Sequence, residues 1–187
     1  SDLNLGCPQN VAKKGKYGAY LLPDKNLVLG IVKHLSKNLD IPISVKIRML
    51  TRTDVDLDLD LDGDEDKTVD LAYCLQEAGA SLLTIHGRTI HNKNNNIKIS
   101  NWNIIKKIKN NVKNIPIVGN GGISNYSDAI ECMKYTGCDS VMASEALLEN
   151  PKMFLQSNSN GNISGDDSFR DHYIRTQLDT SIEYMDL

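Results

Sequence analysis

A cysteine follows a short apolar run at the front of the chain, in LNLGCPQNVAKKGKYGAYL (residues 3–21). Gly6 and Pro8 flank Cys7 and force the backbone out of an extended run there, presenting the thiol at the end of a strand. A free cysteine is otherwise most often a small buried hydrophobe. Three lysines, Lys13, Lys14 and Lys16, lie just beyond it in what reads as a basic, glycine-bearing loop. Lys46 sits within SVKIR, and an ammonium inside an apolar strand needs an anionic partner unless it points outward. His86 ends TIHGRT with Gly87 and Arg88 after it, a pattern open to a structural histidine or to a ligand site. GNGGIS (119–124) offers backbone N–H groups unobstructed by side chains just before a helix, which suits a phosphate. The chemistry on offer is thus a thiol acid or nucleophile, a cation in a strand and an anion cradle.

The elements that must position these groups alternate along the chain. Leu3 to Leu5, residues 41–49, 81–87, 115–122 and 138–144 read as strands. Helices are expected over 24–39, capped by Asp24 with Leu27, Ile31, Val32 and Leu35 at helical spacing, and from a cap at Thr68 up to Gly79. Three more are expected over 102–112, over 126–137 and, briefly, from Glu145. Regular β-α order implies a parallel sheet with right-handed crossovers, either part of a (β/α)8 barrel or an open doubly wound sheet. The barrel is favoured because polar residues end every strand and the last two strands run into glycine or small-residue loops, where such barrels bind phosphate.

Two segments read as insertions. In 53–66 Asp alternates with Val or Leu, and a solvated acidic loop is expected. Asp58, Asp60, Asp62 and Gly63 fit part of a calcium loop, but the twelfth position is Val69, where a bidentate Glu is required, so no metal is expected. Replacing residues 54–66 with a Gly/Ser linker is expected to leave thermal stability nearly unchanged. Residues 92–101 form an asparagine-rich loop.

The 187 residues suffice for a full core or a substantial part of a larger domain. The net charge of −3 hides an asymmetry: eight of the 24 acidic residues fall in 54–66, leaving 21 basic groups against 16 elsewhere. That surplus permits a nucleic-acid partner without demanding one. Cys7, Cys74, Cys132 and Cys138 form no C-x-x-C or zinc spacing, which suits a reduced, cytoplasmic protein. No apolar run is long enough to span a membrane. The chain opens inside an apparent strand without an initiator methionine, so residues are expected upstream.

In combination, LNLGCPQNVAKKGKYGAYLL, VKIRM, IHGRT, IPIVGNGGI and DSVMASEALLENP resemble the tRNA-dihydrouridine synthases, most of all the eukaryotic branch acting on D-loop uridines sixteen and seventeen. The resemblance covers residues 2 to about 156 outside the two insertions. It implies the C-terminal part of a TIM barrel, about five of eight strands, over residues 1–156, followed over 157–187 by a linker and the start of a helical tRNA-binding domain. It implies FMN as cofactor, NADPH as electron donor, tRNA as partner, and a monomer when full length. Cys7 matches the acid that protonates C5 of the uracil. Lys46 matches the contact to the flavin N1 and O2, and His86 a contact to the isoalloxazine. Asn120, Gly121, Gly122, Ser144 and Glu145 match the phosphate site. Asn4, Arg48 and Arg88 match substrate contacts. With the upstream strands missing, the 187 residues alone are expected to hold FMN weakly or not at all and to be inactive.

Many family members have Gly-Arg where this chain has Ser144-Glu145, so only the Glu145 backbone N–H is a credible phosphate ligand. Two other readings stand beside the resemblance: another FMN barrel oxidoreductase acting on a small molecule, and a non-catalytic RNA-binding remnant of a barrel. The first leaves GCPQNVAKKGKYGAYL unexplained, and the second should be colourless when purified.

Overall fold

The computed structural model describes residues 1–51, 64–92 and 100–154. Along the chain it contains β1 (Asp2–Leu5), α1 (Asn10–Gly15), a 3-10 turn (Gly18–Leu21), α2 (Lys25–Asn38), β2 (Ser44–Arg48) and α3 (Glu65–Glu77). These are followed by β3 (Leu82–His86), α4 (Trp102–Asn111), β4 (Ile117–Asn120), α5 (Tyr126–Thr136), β5 (Ser140–Met142) and α6 (Glu145–Glu149). The calcium-loop residues Asp58, Asp60, Asp62 and Gly63, most of the asparagine-rich loop and the expected helical segment after 156 lie outside the described residues.

All five strands are parallel, and their order in the sheet is their order in the chain. A doubly wound sheet reverses its direction of strand addition at a switch point. No reversal occurs among the described strands. Right-handed crossovers between strands added in one direction put every connecting helix on the same face, and α2, α3, α4 and α5 accordingly pack each against the next. The sheet is an arc of the kind from which a (β/α)8 barrel is built.

Strand alternation then divides the two faces. Val45, Ile47, Leu83, Ile85 and Ile117 are fully buried beneath the helices, with Val28, Val32, Leu71, Leu75, Ile104, Ile105 and Ile108 among the helix side chains in the same core. Burial of a large aliphatic side chain stabilises by about 1.5–3 kcal/mol, so this face supplies the cohesion of the arc. The residues between them face the other way.

Three local expectations are corrected. Thr68 does not cap α3. Asp64 does, accepting from the Lys67 N–H at 2.9 Å, while the Thr68 side chain lies buried one turn inside and accepts from the Leu50 N–H. Asp64, Glu65 and Asp66 therefore cap and begin a helix and do not belong to an acidic loop, and Glu65 ties α3 to α4 through Asn101 and Lys107, so a linker replacing all of 54–66 should lower thermal stability, contrary to the expectation from sequence. In α2 the buried stripe runs through Val28 and Val32, one position over from the expected Leu27, which is exposed. The basic segment after Cys7 is not a loop alone, since it folds into α1 and the 3-10 turn, with Ala12, Ala19 and Leu22 buried. The Asp24 cap of α2 and the ends of α3 and α5 fall where expected.

Candidate active site

The helix-free face carries polar groups in two rows. The parallel register sets Asn4 beside Lys46, Lys46 beside Thr84, and Thr84 beside Val118. One step nearer the strand ends it sets Arg48 beside His86, His86 beside Asn120, and Asn120 beside Met142. Strands of a parallel sheet covered on both faces read as near-continuous apolar runs. A row of Asn, Lys and Thr followed by a row of Arg, His and Asn instead marks a face that meets a polar ligand.

Lys46 reaches toward the exit of β1, where a Cβ added to Gly6 would lie 3.4 Å from its Nζ. Its ammonium makes no hydrogen bond or contact ion pair with the described residues. Burial, and then the Arg48 charge, push its pKa down to about 8, with Asp2 acting weakly the other way. A half-buried cation without a partner is what an anionic ligand would satisfy. His86 is held well below the ordinary imidazole range by burial first and then by Arg48, Lys46 and Arg88, so its ring is neutral at physiological pH. It packs against the glycine loop: a Cβ at Gly121, where φ is +101°, would sit 2.8 Å from His86 Cδ2 and 2.7 Å from Ser100 Oγ. The site thus has a cradle that only glycine fits, next to a neutral ring.

Asn120 uses its amide to donate to the Met142 carbonyl at 2.8 Å, joining the ends of β4 and β5. Arg48 is buried and spends two donors on backbone carbonyls, Nε on Gly6 at 2.7 Å and Nη1 on Thr89 at 3.0 Å. Burial and then Arg88 lower its pKa to about 10, with Cys7 and Tyr20 opposing, so it stays charged and lies within electrostatic reach of Cys7. Burial lowers the Arg88 pKa and the Glu145 carboxylate counteracts this, so the Glu145 charge is felt by an arginine. Ser144 and Glu145 are exposed at the start of the short α6.

Cys7 is half-buried at the end of β1. Its carbonyl accepts from the Ala19 N–H at 3.1 Å, and Tyr20 donates to the Pro8 carbonyl at 3.1 Å, so the segment 7–22 folds back onto its own start. Gly18 passes behind the cysteine with φ +61°, where an added Cβ would lie 2.9 Å from the Cys7 carbonyl oxygen. Lys13, Lys14 and Lys16 are all exposed on this segment, together with Val11 and Tyr17. Sequence reasoning overlooked Thr84, Gly18, Tyr20 and Trp102. The Trp102 indole N–H donates to the Gly121 carbonyl at 3.0 Å. Its place at a helix start, between the two glycine-bearing strand ends, was the available signal.

A family model described as Dihydrouridine synthase (Dus) matches residues 1–181. The chain belongs to the dihydrouridine synthase family. Its arc of five parallel strands is part of the TIM barrel of that family. The chain is 38% identical over 159 residues to the tRNA-dihydrouridine(16/17) synthase (NAD(P)(+)) of Schizosaccharomyces pombe, covering 84% of this chain and 37% of that protein. It is 37% identical over 154 residues to the protein of the same name from Saccharomyces cerevisiae, covering 82% and 34%. It is also 36% identical over 154 residues to the tRNA-dihydrouridine(16) synthase of Yersinia pestis, covering 81% and 45%. The chain thus spans between about a third and a half of the length of these dihydrouridine synthases.

The Lys46 environment makes a testable claim on stability. The folded state disfavours its charged form, so the unfolded chain binds the extra proton between pH about 8 and the ordinary lysine value of 10.5. Stability of the ligand-free protein should therefore rise as pH climbs through that window. Lys46→Met should be more stable than the parent at pH 7.5, with the gap closing toward pH 10. Urea midpoints measured at both pH values check this, and a gap independent of pH would show that the ammonium is not desolvated.

Proposed function

We propose that this chain contributes the catalytic face of a flavin-dependent enzyme that reduces uridine to 5,6-dihydrouridine in tRNA, at D-loop positions sixteen and seventeen. The observation that carries this is the polar face itself. A thiol, a cation without a partner among the described residues, a neutral imidazole and a glycine cradle stand together at one end of a parallel arc, in a chain of the dihydrouridine synthase family. The relatives named for the 16/17 positions support the choice of uridines.

The residues fit FMN. The glycine cradle at 121–122 and the neighbouring Ser144 and Glu145 N–H groups would hold its phosphate. Lys46 would lie against the pyrimidine end of the ring, where a cation favours the anionic reduced state. His86, neutral, would contact the ring without adding a second charge. Held there and reduced by NADPH, FMN would supply hydride chemistry at C6 of the uracil. The protein's own part is then to hold the base and deliver a proton to C5, on which enolate-like charge develops. Cys7 would do this as a thiol, so it must stay protonated until the base is in place. Asn4 and Arg88 would orient the base. Arg48, with two donors already on backbone carbonyls, would act chiefly by fixing the Cys7 strand end. Lys13, Lys14 and Lys16, exposed beside Cys7, would meet RNA phosphates, which makes binding salt-dependent.

The intact protein, incubated with FMN, NADPH and unmodified tRNA, should produce dihydrouridine at sixteen and seventeen, mapped by mass spectrometry of nuclease fragments. Flavin-bearing protein that leaves both uridines unchanged and modifies another position would overturn the positional reading. A colourless protein would favour the RNA-binding remnant.

A further inference from the structure

Trp102, the single tryptophan of the chain, is the first residue of α4 and lies immediately beyond the Asn101 cap. Its indole is held from outside. Tyr135 of α5 stacks beside it with ring centroids 6.5 Å apart and planes tilted by 41°. The Lys106 ammonium sits 4.7 Å from the Tyr135 ring centre, and the Tyr135 hydroxyl bonds Asn103. The ring is thereby fixed, and its N–H points at one acceptor, the Gly121 carbonyl, 3.0 Å away.

A trans peptide is planar, so a carbonyl and the N–H of the next residue point in opposite directions. Holding the Gly121 carbonyl toward α4 therefore turns the Gly122 N–H away from α4. The preceding peptide is treated the same way. The Asn120 carbonyl accepts from the Gly87 N–H at 3.2 Å and from Ser100 Oγ at 3.4 Å, which turns the Gly121 N–H away from that side. No loop hydrogen bond among the described residues uses the N–H of Gly121 or Gly122. Both glycines have positive φ, +101° and +74°, and no side chain of their own to hold the peptides in this orientation. The orientation is imposed from behind, by three donors on residues 87, 100 and 102.

We propose that Trp102 is a positioning residue for anion binding: its indole N–H holds the Gly121 carbonyl toward α4 and so keeps the Gly122 N–H aimed at the phosphate of the bound flavin. This rests on the reading of the glycine loop as the phosphate seat. Trp102 touches neither substrate nor cofactor and acts only through the peptide it holds.

The test compares the dissociation constants of FMN and riboflavin, which differ only by the phosphate, on the intact protein by flavin fluorescence quenching. Trp102→Phe removes the N–H. Replacement of Trp102 with benzothienylalanine removes the same N–H while keeping the bicyclic shape and the Tyr135 contact, and so covers the case in which the phenylalanine variant does not fold. Both replacements should weaken FMN by about three- to tenfold, the range of one lost hydrogen bond, and leave riboflavin within about twofold of the parent. Equal weakening of both flavins would reduce Trp102 to a packing residue. Undiminished preference for FMN in the benzothienylalanine protein would overturn the proposal while leaving the loop reading intact. A parent protein that binds FMN and riboflavin equally would remove the phosphate seat itself, and the proposal with it.

Discussion

Cys7→Ala is expected to retain flavin and lose turnover. The side chain is half-buried, and the backbone around it is fixed by the Ala19 N–H and by Gly18, neither of which involves the sulfur. Removing Sγ therefore leaves the segment 7–22 in place, with the proposed flavin-contacting residues of β2, β3 and β4 untouched. On the proposed reading, what goes is the proton for C5. Removal of a general acid typically costs roughly 10²- to 10⁴-fold. The measurement is a single turnover by pre-reduced intact protein on unmodified tRNA, with flavin content read from its absorbance. Dihydrouridine formation at the parental rate would take Cys7 out of the proton path. Cys74→Ala is the comparison: Cys74 is on α3, half-buried, with its thiol 3.8 Å from Asp70, and its loss should leave the rate unchanged.

Gly18→Ala should impair the same step without touching the thiol. The new Cβ would lie 2.9 Å from the Cys7 carbonyl oxygen and 3.0 Å from its Cβ, so backbone must move. The φ of +61° adds the left-handed penalty of about 1–2 kcal/mol. The segment cannot relax by swinging outward without breaking the Ala19–Cys7 hydrogen bond. We expect a loss of about 1–3 kcal/mol in stability and a fall in single-turnover rate of about 10²-fold, the cost of a misplacement near 1 Å. Flavin binding should be nearly unchanged, because Gly18 lies behind Cys7 and away from the glycine cradle. A variant with lowered melting temperature and a parental rate would show that the position of Cys7 is not critical.

The strands and most helices were legible in the sequence because each has a strong local signal. β-branched runs such as IPISVKI and IPIV, caps such as Asp24, and the glycines at 79 and 137 all act within a few residues. Signals that compete at close range were not separable. In α2 the run LVLGIV supports two apolar stripes one residue apart, and only the sheet beneath selects Val28 and Val32. In α3 both Asp64 and Thr68 can cap, and the choice of Asp64 depends on Leu50, fourteen residues away, which accepts from its N–H. The helix α1 had no apolar periodicity to announce it, since only Ala12 of its residues is buried. The candidate site was legible as residue types at strand ends. Its adjacency was not, because the register that sets Arg48 beside His86 and His86 beside Asn120 is a property of three strands together.

The buried guanidinium of Arg48 fastens the exit of β1 to the segment after β3 by gripping main-chain oxygen at Gly6 and Thr89. Such a brace makes no demand on the side chains at either end, so it can survive mutational drift there. The entire constraint falls on position 48, and it is a constraint of shape. Two acceptors on different segments need divergent donors on one rigid plane, which a lysine, with one flexible point charge, cannot supply. Arg48→Lys would keep the charge and cut the brace, uncoupling the Cys7 segment from the segment that carries Arg88 while each keeps its own backbone hydrogen bonds.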